Sequence, residues 1–219
     1  LELAGQGARV LHLRAVEFAA KYNVKLRVAL SFEDSEGTLI TAEDTTVEAP
    51  LVAGIAFNRD EAAITVTGLP DQPGAALAVL EPVSEANIEV DMIVLNAPRE
   101  GRVDLTFTVH RDDHAAALAA VQAAVLSGSG TALAGSAGVR VTGDTTVAKL
   151  SVVGVGMRSH AGVATRLFAT LAAENINVRL VATSEIKVSV VADSQKQERG
   201  VRALHAAYGL EKSPTALST

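Results

Sequence analysis

Ile64-Thr-Val-Thr-Gly68-Leu-Pro-Asp-Gln-Pro-Gly74 decides how this chain folds, because its pattern occurs twice. Alternation of apolar and polar residues with period two marks a strand. Gly, Pro and Asp bunched behind it mark a turn. Leu150-Ser-Val-Val-Gly154 repeats the strand 86 residues on, and Gly74 and Asn87 recur as Gly162 and Asn175, each 88 residues later. The spacing therefore survives an intervening helix, and the chain contains two copies of one supersecondary unit.

Working outward, the first copy reads as a strand Ala63–Thr67, a turn Gly68–Gly74, and a helix Ala75–Ala86. Strands Ile88–Leu95 and Leu105–Val109 follow, then a helix capped by Asp112 or Asp113 and running to Leu126, and a short strand Val139–Val141. That order is βαββαβ, a ferredoxin-like unit of antiparallel strands covered by helices, in the α+β class. The second copy has a strand Lys149–Val153, a helix Val163–Glu174, strands Asn177–Thr183 and Ile186–Val191, and a helix Gln195–Tyr208, but no fourth strand. Only Leu51–Phe57 remains strand-like and unassigned. An open apolar edge invites mispairing, so this upstream strand is expected to complete the second sheet, with the first unit inserted in the second. The expected division is 62–145 for the inserted unit, 50–60 with 146–210 for the host unit, 1–46 as a remnant of something else, and a disordered tail over 211–219. Ser127–Gly138, rich in Gly, Ser and Ala, is expected to be a surface loop.

Composition excludes several classes. Nineteen Lys and Arg against 25 Asp and Glu give a net charge of −6, the wrong sign for a nucleic-acid footprint. Cysteine is absent, so there is no disulfide framework, no thiolate nucleophile and no zinc–cysteine site. Aromatics are only 3%, which leaves no stacking platform for bases and means that Ala, Val, Leu and Ile must fill the cores. No run approaches the ~20 apolar residues of a membrane span, and the chain is expected to be cytoplasmic. It opens at Leu1 without a leader pattern, and its first ten residues read as the middle of a domain, so the chain is expected to be a piece of something longer or a small subunit.

Four stretches then carry a family likeness: Gly68–Gly74, Asn87-Ile-Glu-Val-Asp-Met-Ile93, Val152-Val-Gly-Val-Gly-Met-Arg-Ser-His160 and Ala182-Thr-Ser-Glu-Ile-Lys-Val-Ser-Val190. Together they resemble the paired ACT domains of bacterial aspartate kinase, which nests its first ACT domain inside its second. Gly7–Glu17 and Gly37–Ile40 resemble the end of that family's kinase domain. The resemblance implies a regulatory region that senses lysine, threonine or both and controls ATP-dependent phosphorylation of aspartate. It implies no catalysis by this chain. The segments that bind ATP, magnesium and aspartate would lie before Leu1, so no cofactor is expected here. The implied partners are a second copy of the chain and the kinase domain or catalytic subunit.

The turn before Gly74 enters a helix, whose free N–H groups and dipole suit a carboxylate, while Asp71 suits an ammonium; the plainer reading is that Asp71 caps the helix. By resemblance, an effector would sit between Asp71, Gly74, Ala76, Asp91 and Asn96 of one subunit and Asn175, Asn177, Val178 and Ser184 of another. Asn87 and Asn175 also suit left-handed backbone at helix ends. Leu95, Pro98 and Ala164 stand where the family usually has Gln, Ser and Thr, which favours the alternative of a dimerisation or scaffold module with degenerate effector sites. His110 and His114 are expected to fall on a strand end and a helix start rather than on one helical face, so they form no metal site, and no catalytic constellation is read.

Overall fold

The computed structural model describes residues 11–32, 35–40, 52–128, 138–154, 157 and 162–211. The glycine- and serine-rich stretch 129–137, His160 with its neighbours 158–161, and 212–219 of the expected tail lie outside them. So do the first ten residues, with 7–10 of the kinase-like stretch. At the start, helix α1 (Leu13–Lys21) buries Val16 and Ala19, and β1 (Leu26–Val28) pairs antiparallel with β2 (Thr38–Ile40).

The inserted unit is built from β4 (Glu61–Pro70), α2 (Ala75–Glu85), β5 (Val90–Leu95), β6 (Arg102–His110), α3 (His114–Ser127) and β7 (Arg140–Asp144). Its sheet runs in the order β5-β6-β4-β7, antiparallel throughout. The host unit has β3 (Val52–Asn58), β8 (Val147–Gly154), α4 (Val163–Ala173), β9 (Val178–Thr183), β10 (Lys187–Asp193) and α5 (Gln197–Ala207), in the order β3-β8-β10-β9. The upstream strand does close the second sheet: β3 pairs antiparallel with β8 from Val52 opposite Gly154 to Asn58 opposite Lys149.

Period-two alternation divides each sheet into two faces. On one face of the first sheet Ile64, Val66, Leu105 and Phe107 pack against Val79 and Val83 of α2 and Ala117 and Val121 of α3. On the second, Leu150, Val152 and Val190 pack against Leu167 and Leu171 of α4 and Leu204 of α5. The helix-free faces then meet each other. Ala63 and Met92 of the inserted unit share a small core with Val147 and Val191 of the host, flanked by Leu180 and Ala182. Strand β8 is consequently buried along its whole length.

Two details differ from the sequence reading. Strand β4 extends to Pro70, because the chain bulges between Val66 and Leu69 and then resumes pairing with Val103 and Arg102. Gly68 allows this with a φ of 77°. Asp112 and Asp113 do not cap the second helix through their side chains. Arg111–Asp113 form one 3₁₀ turn, the His110 ring accepts the Asp112 N–H at 3.3 Å, and α3 starts behind them with no side-chain cap.

Insertion forces the chain to cross between the units twice, at Asn58–Glu61 and at Asp144–Val147. Each crossing is folded on itself: Asn58 Oδ1 accepts the Asp60 N–H at 3.1 Å, and Asp144 Oδ1 accepts the Thr146 N–H at 2.7 Å. Arg111 staples the two together, its guanidinium donating to the carbonyl oxygens of Arg59 and Val147. Replacing it leaves both carbonyls without a charged donor. Arg111→Ala is expected to lose about 1.5–3 kcal/mol in urea unfolding. A loss below ~0.5 kcal/mol, the size of an ordinary surface substitution, would show that the staple is incidental.

Candidate functional site

At the far end of β4 the peptide of Gly68 is gripped from both sides. Asp104 Oδ1 accepts its N–H at 2.8 Å, and Arg102 Nη1 donates to its carbonyl at 2.7 Å. Arg102 and Asp104 lie two apart on β6 and share one face. The β5–β6 hairpin turns at Glu100 and Gly101, both with positive φ, while Arg99 and Arg102 exchange backbone hydrogen bonds at 2.8 and 2.9 Å. Asp71 N–H donates to Gly101 at 2.9 Å, and Asn96 N–H donates to Asp104 at 2.9 Å. These bonds draw the turn, the end of β5 and the hairpin around a cleft of about 440 Å³ lined by Asn96, Ala97, Arg99, Arg102 and Asp104.

Gly74, at φ 92°, is the N-cap of α2, and no side chain caps that helix. Asp71 is exposed and stands three residues ahead of the cap, so the plainer capping role is not the one it has. The first turn of α2, including Ala76, has no side chain capping its backbone donors, and Asp71 precedes it in the turn. Host helix α4 begins the same way, at an uncapped left-handed Gly162.

The structure sorts the sequence-predicted residues into separate places. Asp71, Gly74, Ala76 and Asn96 gather at one end of the first sheet. Asp91 is at the other end of β5, beyond the Val90–Val109 pair. Asn175, Asn177 and Val178 lie where α4 passes into β9, and Ser184 follows the far end of β9. Asn87 and Asn175 both have positive φ and terminate their helices, with Ile88 N–H returning to Val83 and Ile176 N–H to Leu171. The Asn175 carbonyl also accepts from Lys196 Nζ at 2.7 Å. Ser184 Oγ accepts the Lys187 N–H at 3.2 Å in the β9–β10 turn. Leu95, Pro98 and Ala164 are all exposed in the single chain.

Sequence reasoning missed the charged group between the two units. Lys149 Nζ, only 6% exposed, contacts Glu61 Oε1 at 3.0 Å and bonds to Asp91 Oδ2. Asn58 Nδ2 donates to Glu61 Oε1 at 3.0 Å, whereas the buried Glu61 Oε2 has no hydrogen-bond partner. Burial pushes the Glu61 carboxyl above the usual carboxylate range, more than Lys149 pulls it back, and nearby Asp91 adds to the rise. Burial alone would lower Lys149, but Glu61 and then Asp91 outweigh it and hold the ammonium above its ordinary value. A second link joins Arg179 to Asp144. Burial opposes ionisation of Asp144, but hydrogen bonds from Thr146 and the Arg179 charge prevail and hold it below the ordinary range. Among the described residues, no group of three or more His, Asp or Glu is placed to hold a metal ion, and no helix is long and apolar enough to cross a membrane.

Of the four outer strands, β5 exposes Ile93 and Leu95, β9 exposes Val181 with Ile186 just beyond it, and β3 exposes Phe57. Leu77 of α2 and Phe168 of α4 are exposed as well.

Comparison with known proteins matches the ACT-domain family twice, over residues 63–125 and 150–208. The chain is 53% identical over 213 residues to an aspartate kinase of Stutzerimonas stutzeri, covering 96% of this chain and 50% of that protein. It thus spans about half the length of the curated relatives it matches. Among solved structures, a chain of the aspartokinase alpha and beta subunits is 46% identical with a TM-score of 0.62, covering 72% of this chain and 98% of that one. The regulatory subunit of aspartate kinase from Thermus thermophilus, in its ligand-free form, is 34% identical with a TM-score of 0.64 over 72% and 98%.

The raised Glu61 carboxyl gives stability a pH dependence of known sign. Between 4.5, the unperturbed value, and the higher folded value, the native state binds more protons than the unfolded chain. Stability contributed by this group therefore falls as pH rises through that window. Glu61→Gln removes the group, so urea unfolding at stepped pH is expected to show the variant gaining on the wild type as pH climbs above 4.5. A constant difference across that range would contradict the assignment.

Proposed function

The chain belongs to the aspartokinase family, as a nested pair of ACT domains from its regulatory part, and on that premise we propose that it senses an end-product amino acid at sites completed by a second copy of itself. The observation that carries this reading is the position of the edges. Strands β5 and β9 are equivalent members of the two repeats, and each is an apolar outer strand. Equivalent edges brought together about a two-fold axis run antiparallel. Pairing β5 with β9 of a second copy in that way carries the Asn96 end of β5 to the partner subunit's Asn175, Asn177 and Val178. The Asp91 end meets the partner subunit's Ser184. Residues scattered in one chain become two clusters in the dimer.

An α-amino acid suits the first cluster. Its carboxylate would take the free N–H groups at the start of α2, where the helix dipole favours negative charge. Its ammonium would lie on Asp71, with the amide side chains of Asn96 and the partner's Asn175 and Asn177 around the remainder. Lysine and threonine are the proposed effectors. Support for lysine comes from E. coli aspartokinase III, whose structure holds lysine and aspartate and which is 25% identical to this chain with a TM-score of 0.67. Binding would favour one dimer arrangement and so bias an attached kinase domain or catalytic subunit, where ATP, magnesium and aspartate would be handled. Coupling of that kind is typically ~1–3 kcal/mol.

Leu95 favours a second reading. Exposed and apolar beside Asn96, it offers an effector neither donor nor acceptor, as expected of a dimerisation module whose pockets have decayed. Calorimetry with lysine and with threonine at millimolar concentration separates the two readings. Heat from at least one of them, lowered by Asp71→Ala through loss of the first cluster, is expected; no heat from either would leave only the scaffold role. The edge pairing has its own check. Ile93→Asp combined with Val181→Asp is expected to give a monomer in sedimentation velocity, and a persisting dimer would move the interface elsewhere.

A further inference from the structure

Lys149 is poorly explained as a structural ion pair. It sits on an inner strand of the host sheet, on the helix-free face, and reaches across to two carboxylates of the inserted unit. One ammonium against Glu61 and Asp91 leaves a net charge of −1. Glu61 holds Asn58 and Lys149 through Oε1 and has a buried oxygen to spare, so Lys149 keeps a carboxylate when it leaves Asp91. Asp91, by contrast, keeps 40% of its side chain exposed and stands on the outer strand β5. Above the group opens a cleft of about 580 Å³ whose walls include Asn58, Glu61, Asp91, His110, Asp113 and Lys149. Asp91 therefore has one partner inside the molecule and a free approach from outside.

We infer that Lys149 is an internal competitor at the second cluster: its ammonium occupies Asp91, the carboxylate that the ammonium of an amino acid bound at that end of β5 would take, and binding there transfers Lys149 to Glu61 alone. The inference rests on the amino-acid-sensing reading and adds to it the residue that sets affinity and carries the signal between the two ACT domains. The charge balance gives the direction. A ligand cation at Asp91 brings the group from −1 to zero, with Lys149 and Glu61 left as a neutral buried pair. Lys149 is then a positioning residue that acts through Asp91. Releasing Asp91 also cuts one of the ties between the two sheets, so occupancy at the outer edge is felt where the chain crosses from one unit to the other.

The test is calorimetry of the full chain with lysine and with threonine, comparing wild type with Lys149→Gln, Lys149→Arg and Glu61→Gln. Removing the competitor makes the group more negative, so Lys149→Gln is expected to tighten binding by about fivefold or more, near the lower end of allosteric coupling. Glu61→Gln leaves Lys149 wholly to Asp91 and is expected to weaken binding by a similar factor. Lys149→Arg, which keeps the competing charge, is expected to stay within about twofold of wild type, well inside that coupling range. A residue that merely supports the fold would weaken binding in all three variants.

If wild type binds and Lys149→Gln is unchanged or weaker, the competitor is overturned while amino-acid sensing stands. If wild type gives no heat but Lys149→Gln does, the competitor is supported outright. If neither gives heat, both fail. Should Lys149→Gln not fold, as judged by circular dichroism, Glu61→Gln decides: weaker binding supports the competitor, and equal or tighter binding overturns it.

Discussion

Because β3 pairs with β8, the chain leaves its second sheet before building it, completes another whole domain, and then returns. That single ladder dictates the two crossings, and the crossings dictate that the domains sit side by side at Asn58–Glu61 and Asp144–Val147. Much of the charged and hydrogen-bonded contact between the units collects there. Arg111 holds both crossing strands, Arg59 bonds Gln197 Oε1 at 2.9 Å and Glu198 Oε1 at 2.7 Å, and Lys149 joins Glu61 to Asp91. The apolar contribution at the junction is small by comparison, a core of four buried residues. A joint held by charges and hydrogen bonds rather than by a wide apolar face has fewer contacts to break when the domains shift. This suits a sensor more than a rigid scaffold.

The buried charges have a cost. Removing the Lys149 ammonium and the Glu61 carboxylate from water is repaid only where geometry and extra hydrogen bonds compensate, and losing one partner of a buried pair typically costs about 3–5 kcal/mol. Glu61 shows the incomplete balance in its raised carboxyl and its unpartnered oxygen. At the opposite end of β5 the turn at Asp71 is organised by bonds to backbone: a bulge at Gly68 gripped by the Arg102 guanidinium and the Asp104 carboxylate, and the Asp71 N–H bonded to Gly101. One end of β5 is thus a preformed cleft and the other a charge balance that a ligand can tip.

Much of this was legible in the sequence because it is written locally. Repeat spacing gave both units, period-two alternation gave the faces, and the strand count sent Leu51–Phe57 to the second sheet, where Val52–Asn58 is found. Asn87 and Asn175 announced their left-handed helix ends. What escaped depends on meetings that no local pattern encodes. Lys149 heads an apolar run and reads as an ordinary polar strand start; only the neighbouring domain shows that it is buried between carboxylates. The extension of β4 to Pro70 was hidden by Gly68 and Pro70, which read as turn residues until Arg102 and Asp104 are seen holding the bulge. Resemblance placed Asp91 with Asp71, but a single chain keeps them at opposite ends of a strand.

The proposed function requires amino-acid recognition to join two chains along the β5 and β9 edges. Mapping backbone amide resonances of an isotopically labelled full chain during titration with threonine and lysine tests it most directly. Gly74 and Ala76 are expected to move together with Asn177 and Val178, at the same ligand concentration, although the two groups lie on different ACT domains. Movement of one group without the other, or of neither at saturating ligand, would contradict it.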